Sequence, residues 1–177
     1  MPDSPVSREE FDATYARHHR AVWALAYARR LDTGTAMDIM QETFLRFWKH
    51  AQSGSEIKNP KAWLMKVARN LAEDDSKSAF RRHGTHPTEF LGTIPGIESA
   101  PDADLQRQEV FQAIRGVLDE LPASDREVLT LRYALDQDAP QIAEFLGLPV
   151  TAIHMRLSRA RQKMAEKLTA IGVTQTP

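Results

Sequence analysis

Residues 141–161, QIAEFLGLPVTAIHMRLSRAR, constrain this chain more than any other stretch, because two helical apolar stripes flank a glycine turn. Ile142, Ala143, Phe145 and Leu146 give a short first helix one apolar face, and Gly147 supplies the turn. Ile153, Leu157, Ala160 and Met164 then form the stripe of a second helix. Two short amphipathic helices joined in this way cross steeply, as a helix-turn-helix, with small Ala143 at the closest approach and Ile153 turned back onto the first helix. Between Thr151 and Lys167 stand Arg156, Arg159, Arg161, Lys163 and Lys167 against the single acid Glu166. A basic amphipathic helix can be a simple solvated face. The turn, and the crowding of charge onto only one of the two helices, favour contact with nucleic-acid phosphates.

Any such contact must be local. The chain of 177 residues carries 23 Lys plus Arg against 24 Asp plus Glu, a net charge of -1, so it is no bulk polycation coating nucleic acid indiscriminately. Absence of cysteine excludes disulfides, thiolate metal sites and cysteine nucleophiles, and suits a reducing cytoplasm. The opening MPDSPVSREE is polar and acidic where a secretory signal is basic and then apolar. Since the longest apolar run, Ala21 to Ala28, is too short to span a bilayer, a cytoplasmic protein without membrane insertion is expected.

Helical signals recur on both sides of residues 83–101. Ser7 and Glu10 form a capping-box pattern, after which Phe11, Tyr15, Val22, Ala26 and Arg29 or Arg30 trace a helical face to about residue 31. The polar segment Asp32 to Thr35 is expected to break it, before a second helix from about Ala36 to His50 carrying Met37, Met40, Phe44, Phe47 and Trp48. After a loop, Asn59-Pro60 starts a third helix with Trp63, Leu64, Val67, Ala68 and Leu71 inward, running to about Arg82. From His83 to about Pro101 periodicity vanishes and Gly and Pro accumulate; between Gly84 and Glu109 five acids face one base, Arg107, as expected of a tether that extends and avoids DNA. Helical pattern resumes near Asp104 with Val110, Ile114, Val117, Leu118 and Leu121 and stops at Pro122. Ser124 to Glu127 reads as a second capping box opening a helix from Asp125 to Tyr133, and Asp136 to Pro140 turns the chain into the helix-turn-helix. No segment alternates like a strand. The expectation is an all-α chain of two small helical domains, residues 1–83 and 104–177, joined by a flexible acidic linker, residues 84–103.

A second constellation lies at Asp38, Gln41, Glu42 and Leu45, which recur at three- and four-residue steps along one helix flank beside an aromatic core face. Taken alone, Asp38 and Glu42 read more readily as solvated acids than as a docking ridge. Together the two motifs resemble the extracytoplasmic-function sigma factors, the smallest members of the bacterial sigma-70 superfamily, from about Glu10 to Leu168. The family's Asp-x-x-Gln-Glu-x-Phe motif is matched by Asp38, Gln41, Glu42 and Phe44. Its Asn-Pro-x-x-Trp-Leu helix with Ala-Arg-Asn is matched by Asn59, Pro60, Trp63, Leu64, Ala68, Arg69 and Asn70. Leu121-Pro122, the stretch Glu127 to Tyr133 and the helix-turn-helix follow in the family's order.

The resemblance implies a σ2-like domain and a σ4-like helix-turn-helix domain, no covalent chemistry and no cofactor. Asp38, Gln41, Glu42 and Leu45 would dock on basic clamp helices of bacterial core RNA polymerase. Lys58, Asn59, Lys61, Lys66, Arg69, Asn70, Lys77 and Arg81 would line the minus-ten promoter element, basic groups on phosphates and Asn70 with the loop Ser53 to Asn59 on flipped-out bases. Thr151, His154, Met155, Ser158 and Gln162 would face the major groove of the minus-thirty-five element, with Arg156, Arg159, Arg161 and Lys163 on flanking phosphates. An anti-sigma factor is a further partner that the family often has. One rival is a stand-alone helix-turn-helix regulator, which would bind DNA without polymerase. Another is a metal hydrolase built on His83 and His86, a pair in the Gly- and Pro-rich tether with no second ligand cluster.

Overall fold

Side-chain caps set the ends of the N-terminal helices. In the computed structural model, which describes residues 6–74, 112–113 and 115–172, Ser7 Oγ accepts from the Glu10 amide and Glu10 returns a bond to the Ser7 amide, opening α1, Arg8–Arg30. Leu31 ends it in the left-handed region, its N–H donating to the Tyr27 carbonyl. Asp32 caps the next helix through the Thr35 amide, so α2 spans Thr33–Gln52. The segment expected to break the chain is therefore the first turn of α2. Gly34 sits inside that turn, where the Asp32 cap outweighs its low helix propensity. Asn59 accepts from the Ala62 amide and Pro60 takes the first helical position of α3, Pro60–Glu73, as the Asn-Pro signal predicts. The helix expected to run to Arg82 stops instead at Glu73, where Asp74 leaves the helical region at ψ 87°; residues 75–82 lie outside the described residues, as do the linker and the helix start near Asp104.

The three helices bury a common core of Val22, Leu25 and Ala26 from α1, Met40, Phe44 and Phe47 from α2, and Leu64, Met65 and Ala68 from α3. Each of the larger side chains contributes about 1.5–3 kcal/mol by leaving water. Phe11 closes one end of the core, edge-on to Phe44 and Trp48 with ring centroids 6.2 and 5.1 Å apart. Trp63 closes another against Phe47, with His50 stacked on it at 5.5 Å.

In the C-terminal lobe, residues 115–119 are helical, and α4 runs Ala123–Leu129 before widening into a π-helical turn, Thr130–Ala134. The second capping box does not form. Pro122 stands at the N-cap without a side-chain bond, and the Glu127 carboxylate is turned away to Arg29 and Arg69. Asp138 and Gln141 do form a capping box, which opens α5, Ala139–Leu146. Gly147 ends α5 at φ 66°, a left-handed turn that favours glycine, and α6 spans Val150–Ala170. Ile142, Ala143, Ile153, Leu157 and Ala160 are buried where α5 and α6 meet, packed with Val128 and Leu131.

The two lobes are not held apart. The C-terminal end of α1 packs against α4 and its π turn, so one apolar cluster runs from Val22 and Leu25 through Leu121, Val128 and Leu129 to Ile153. All described elements are helical, as expected of an all-α chain.

Candidate nucleic-acid interface

Buried positions on α6 determine what it shows outward. Ile153, Leu157 and Ala160 lie against α4 and α5, which turns Thr151, His154, Met155, Ser158 and Gln162 to solvent. Met155 is 73% exposed, the most exposed large apolar residue among the described residues, and stands in the second turn of the helix. Gln162 donates to Glu166 one turn on, at 3.0 Å.

The basic flank divides by partner. Arg156 is half-buried, and Arg161 donates to the Leu157 carbonyl at 3.2 Å. Arg159 and Lys163 share Asp125, a carboxylate only 1% exposed in α4, at 3.5 and 3.6 Å. Both cations keep much of their surface in water, Arg159 at 58%, so these loose pairs leave them able to meet phosphates. Lys167 pairs with Glu120.

On α3 the predicted residues separate into three surroundings. Lys66 and Asn70 lie one turn apart and both are exposed. Lys61 is exposed in the first turn, near enough to α1 that its charge, after burial and Arg17, helps hold the His18 imidazole below its ordinary value. Arg69 is turned toward the C-terminal lobe, donating to Glu127 at 2.7 Å and pairing with Glu73 at 2.8 Å. Lys58 is exposed before the helix, while the Asn59 side-chain carbonyl is engaged as the cap. Lys77 and Arg81 lie outside the described residues, as do His83 and His86. Ser53 to Asn59 is an exposed loop pinned by half-buried Ile57, with the Ser53 hydroxyl donating to the His50 carbonyl.

The ridge on α2 stands clear of the core. Gln41 is exposed and Leu45 is 47% exposed, while Asp38 and Glu42 are half-buried. Arg46, which the motif does not include, donates to Glu42 at 2.7 Å and offsets part of the ridge's negative charge. Met37, beside Asp38, belongs to the core.

Sequence reasoning missed Arg29, Arg126 and Glu127, which join the lobes. The available signal was charge within an otherwise buried run: residues 125–129, DREVL, are all buried. Among the described residues no group of three or more His, Cys, Asp or Glu is placed to hold a metal ion, and no helix is long and apolar enough to cross a membrane.

Comparison with known proteins agrees with this architecture. Residues 14–84 match the family model Sigma-70 region 2, and residues 111–164 match Sigma-70, region 4. The chain is 33% identical over 167 residues to the ECF RNA polymerase sigma factor SigL of Mycobacterium tuberculosis, covering 92% of this chain and 91% of that one. It is 28% identical to ECF RNA polymerase sigma factor SigM of Bacillus subtilis, covering 86% of this chain and 91% of the relative. Among solved structures, the sigma factor RpoE of Bartonella quintana, in complex with the anti-sigma factor NepR, superposes with a TM-score of 0.61 at 26% identity, over 91% of this chain and 98% of that one.

Proposed function

The chain belongs to the extracytoplasmic-function sigma factors, and on that premise we propose how it binds bacterial core RNA polymerase and directs promoter-specific initiation. Residues 1–83 form the domain that meets the polymerase and the minus-ten element, 84–103 the linker, and 104–177 the domain that meets the minus-thirty-five element. The observation that carries this reading is the presence, in one chain, of an outward ridge on α2 and an outward face on the second helix of a helix-turn-helix. A stand-alone DNA-binding regulator has no use for the ridge.

Asp38, Gln41, Glu42 and Leu45 dock on basic clamp helices of the polymerase, with Leu45 as the exposed apolar contact at the C-terminal end of the ridge. Lys58, Lys61 and Lys66, with Lys77 and Arg81, hold phosphates of the minus-ten strand, and Asn70 offers an amide to an unstacked base. Thr151, His154, Met155, Ser158 and Gln162 face the major groove, and Arg156, Arg159 and Lys163 fix the register on phosphates. Recognition proceeds by binding alone, without covalent chemistry, in the cytoplasm. The complex formed by the RpoE relative supports an anti-sigma factor as a further partner.

Titration of the labelled chain with purified core polymerase tests the reading. Saturable binding is expected, weakened about tenfold by Leu45→Asp, equivalent to about 1.4 kcal/mol. A chain that bound DNA but showed no saturable affinity for core would instead be the stand-alone regulator.

A further inference from the structure

Glu127 has a carboxylate only 1% exposed, and both of its cations come from the other lobe. Arg29 on α1 donates to one oxygen at 2.7 Å, and Arg69 on α3 donates to the other at 2.7 Å. Glu73 completes an alternating cluster, 3.1 Å from Arg29 and 2.8 Å from Arg69. Asp125, two residues earlier and equally buried, takes its cations from its own lobe instead. A carboxylate withdrawn from water is stable only while paired, so Glu127 ties the burial of α4 to contact between the lobes.

Neighbouring groups seal the same seam. Arg126 donates through Nε to the Ala28 carbonyl at 2.6 Å and through Nη2 to the Arg29 carbonyl at 3.3 Å, placing a cation at the C-terminal end of α1 where the helix dipole favours one. Its Nη1 donates within its own lobe, to the Leu121 carbonyl and to the Leu118 carbonyl at 3.4 Å. Arg115 lies over the Tyr27 ring, 5.4 Å from the centroid.

Two guanidinium groups gripping the two oxygens of one carboxylate make a binding site for an oxyanion. Arg69 borders the α3 face that carries Lys66 and Asn70, where the proposed function places the minus-ten strand. We propose that Arg29 and Arg69 form an anion site that Glu127 fills when the lobes are closed and a nucleic-acid phosphate fills when they part. Closure therefore masks part of the single-strand surface in the free chain. This inference rests on the proposed use of α3. Arg29 becomes a phosphate ligand that lies outside the family motifs.

The test uses the full chain without polymerase. Since the chain lacks cysteine, spin labels attached through Ala16→Cys on α1 and Ala165→Cys on α6, both exposed positions, report the distance between lobes. One narrow distance distribution is expected for the otherwise unaltered chain, and a longer, broader one for Glu127→Gln. If the open form is about a tenth of the free chain, Glu127→Gln should also lower the apparent Kd for a random-sequence single-stranded DNA about tenfold. Glu9→Gln, which removes an exposed charge far from the seam, should change neither reading. Should Glu127→Gln not fold, Arg29→Gln must lengthen the distance from the other side. Unchanged distances in the folded variants overturn the proposal, as does a lengthened distance with unchanged DNA affinity in Glu127→Gln. A chain that opens as expected but never binds core polymerase would remove the sigma reading and leave the seam standing.

Discussion

His18 is half-buried on α1, and burial first, then Arg17 and Lys61, hold its imidazole below the ordinary 6.5. Unfolding removes the burial, which is the largest cause, and the approach of Lys61, so the unfolded state takes up the proton at higher pH than the folded state. The stability due to a neutral His18 is complete above 6.5 and falls away as pH drops through the folded value. Denaturant midpoints followed from about pH 7.5 to about pH 5 should decline, and His18→Gln should flatten that decline. An equal decline in both proteins would place the loss elsewhere. Other residues could be read directly from the chain: Ser7, Asn59 and Gly147 each act where local chemistry alone predicts, because a cap or a left-handed turn needs only its immediate neighbours. Glu127 could not. Its spacing from Ser124 satisfies the capping-box pattern, yet two arginines distant in sequence claim the carboxylate.

Among elements, the second helix of the helix-turn-helix was the most legible, since its buried and exposed residues follow the 3.6-residue period without exception from Ile153 to Ala160. Periodicity also identified the outward face of α2, although it gave no hint that Arg46 would cover Glu42. On α3 composition was the poorer guide. Its cations looked equivalent in sequence, but Lys66, Lys61 and Arg69 face different surroundings, which only tertiary packing decides. For α6 the expected phosphate role of Arg159 can be measured. Arg159→Ala should weaken binding of the minus-thirty-five duplex across sequences and reduce the salt slope of log K by about one. A slope that did not change would assign Arg159 to the Asp125 pair alone.

At the scale of the whole molecule, two helical lobes and their order were readable because each has its own apolar periodicity and a Gly- and Pro-rich stretch lies between. Their mutual packing was not. Contact between lobes uses charged residues at the end of α1 and the start of α4, whose pairing leaves no periodic trace in the chain. In the proposed scheme closure and promoter contact compete for Arg29 and Arg69, which couples nucleic-acid binding to interdomain motion through that pair. Promoter-directed initiation remains the property from which all else follows. Run-off transcription with purified core polymerase on fragmented DNA of the source genome, with transcripts mapped at their 5′ ends, measures it directly. Addition of the chain should produce a small set of defined start sites sharing two upstream elements. Start sites no different from those of core alone, from a chain that binds DNA, would contradict it.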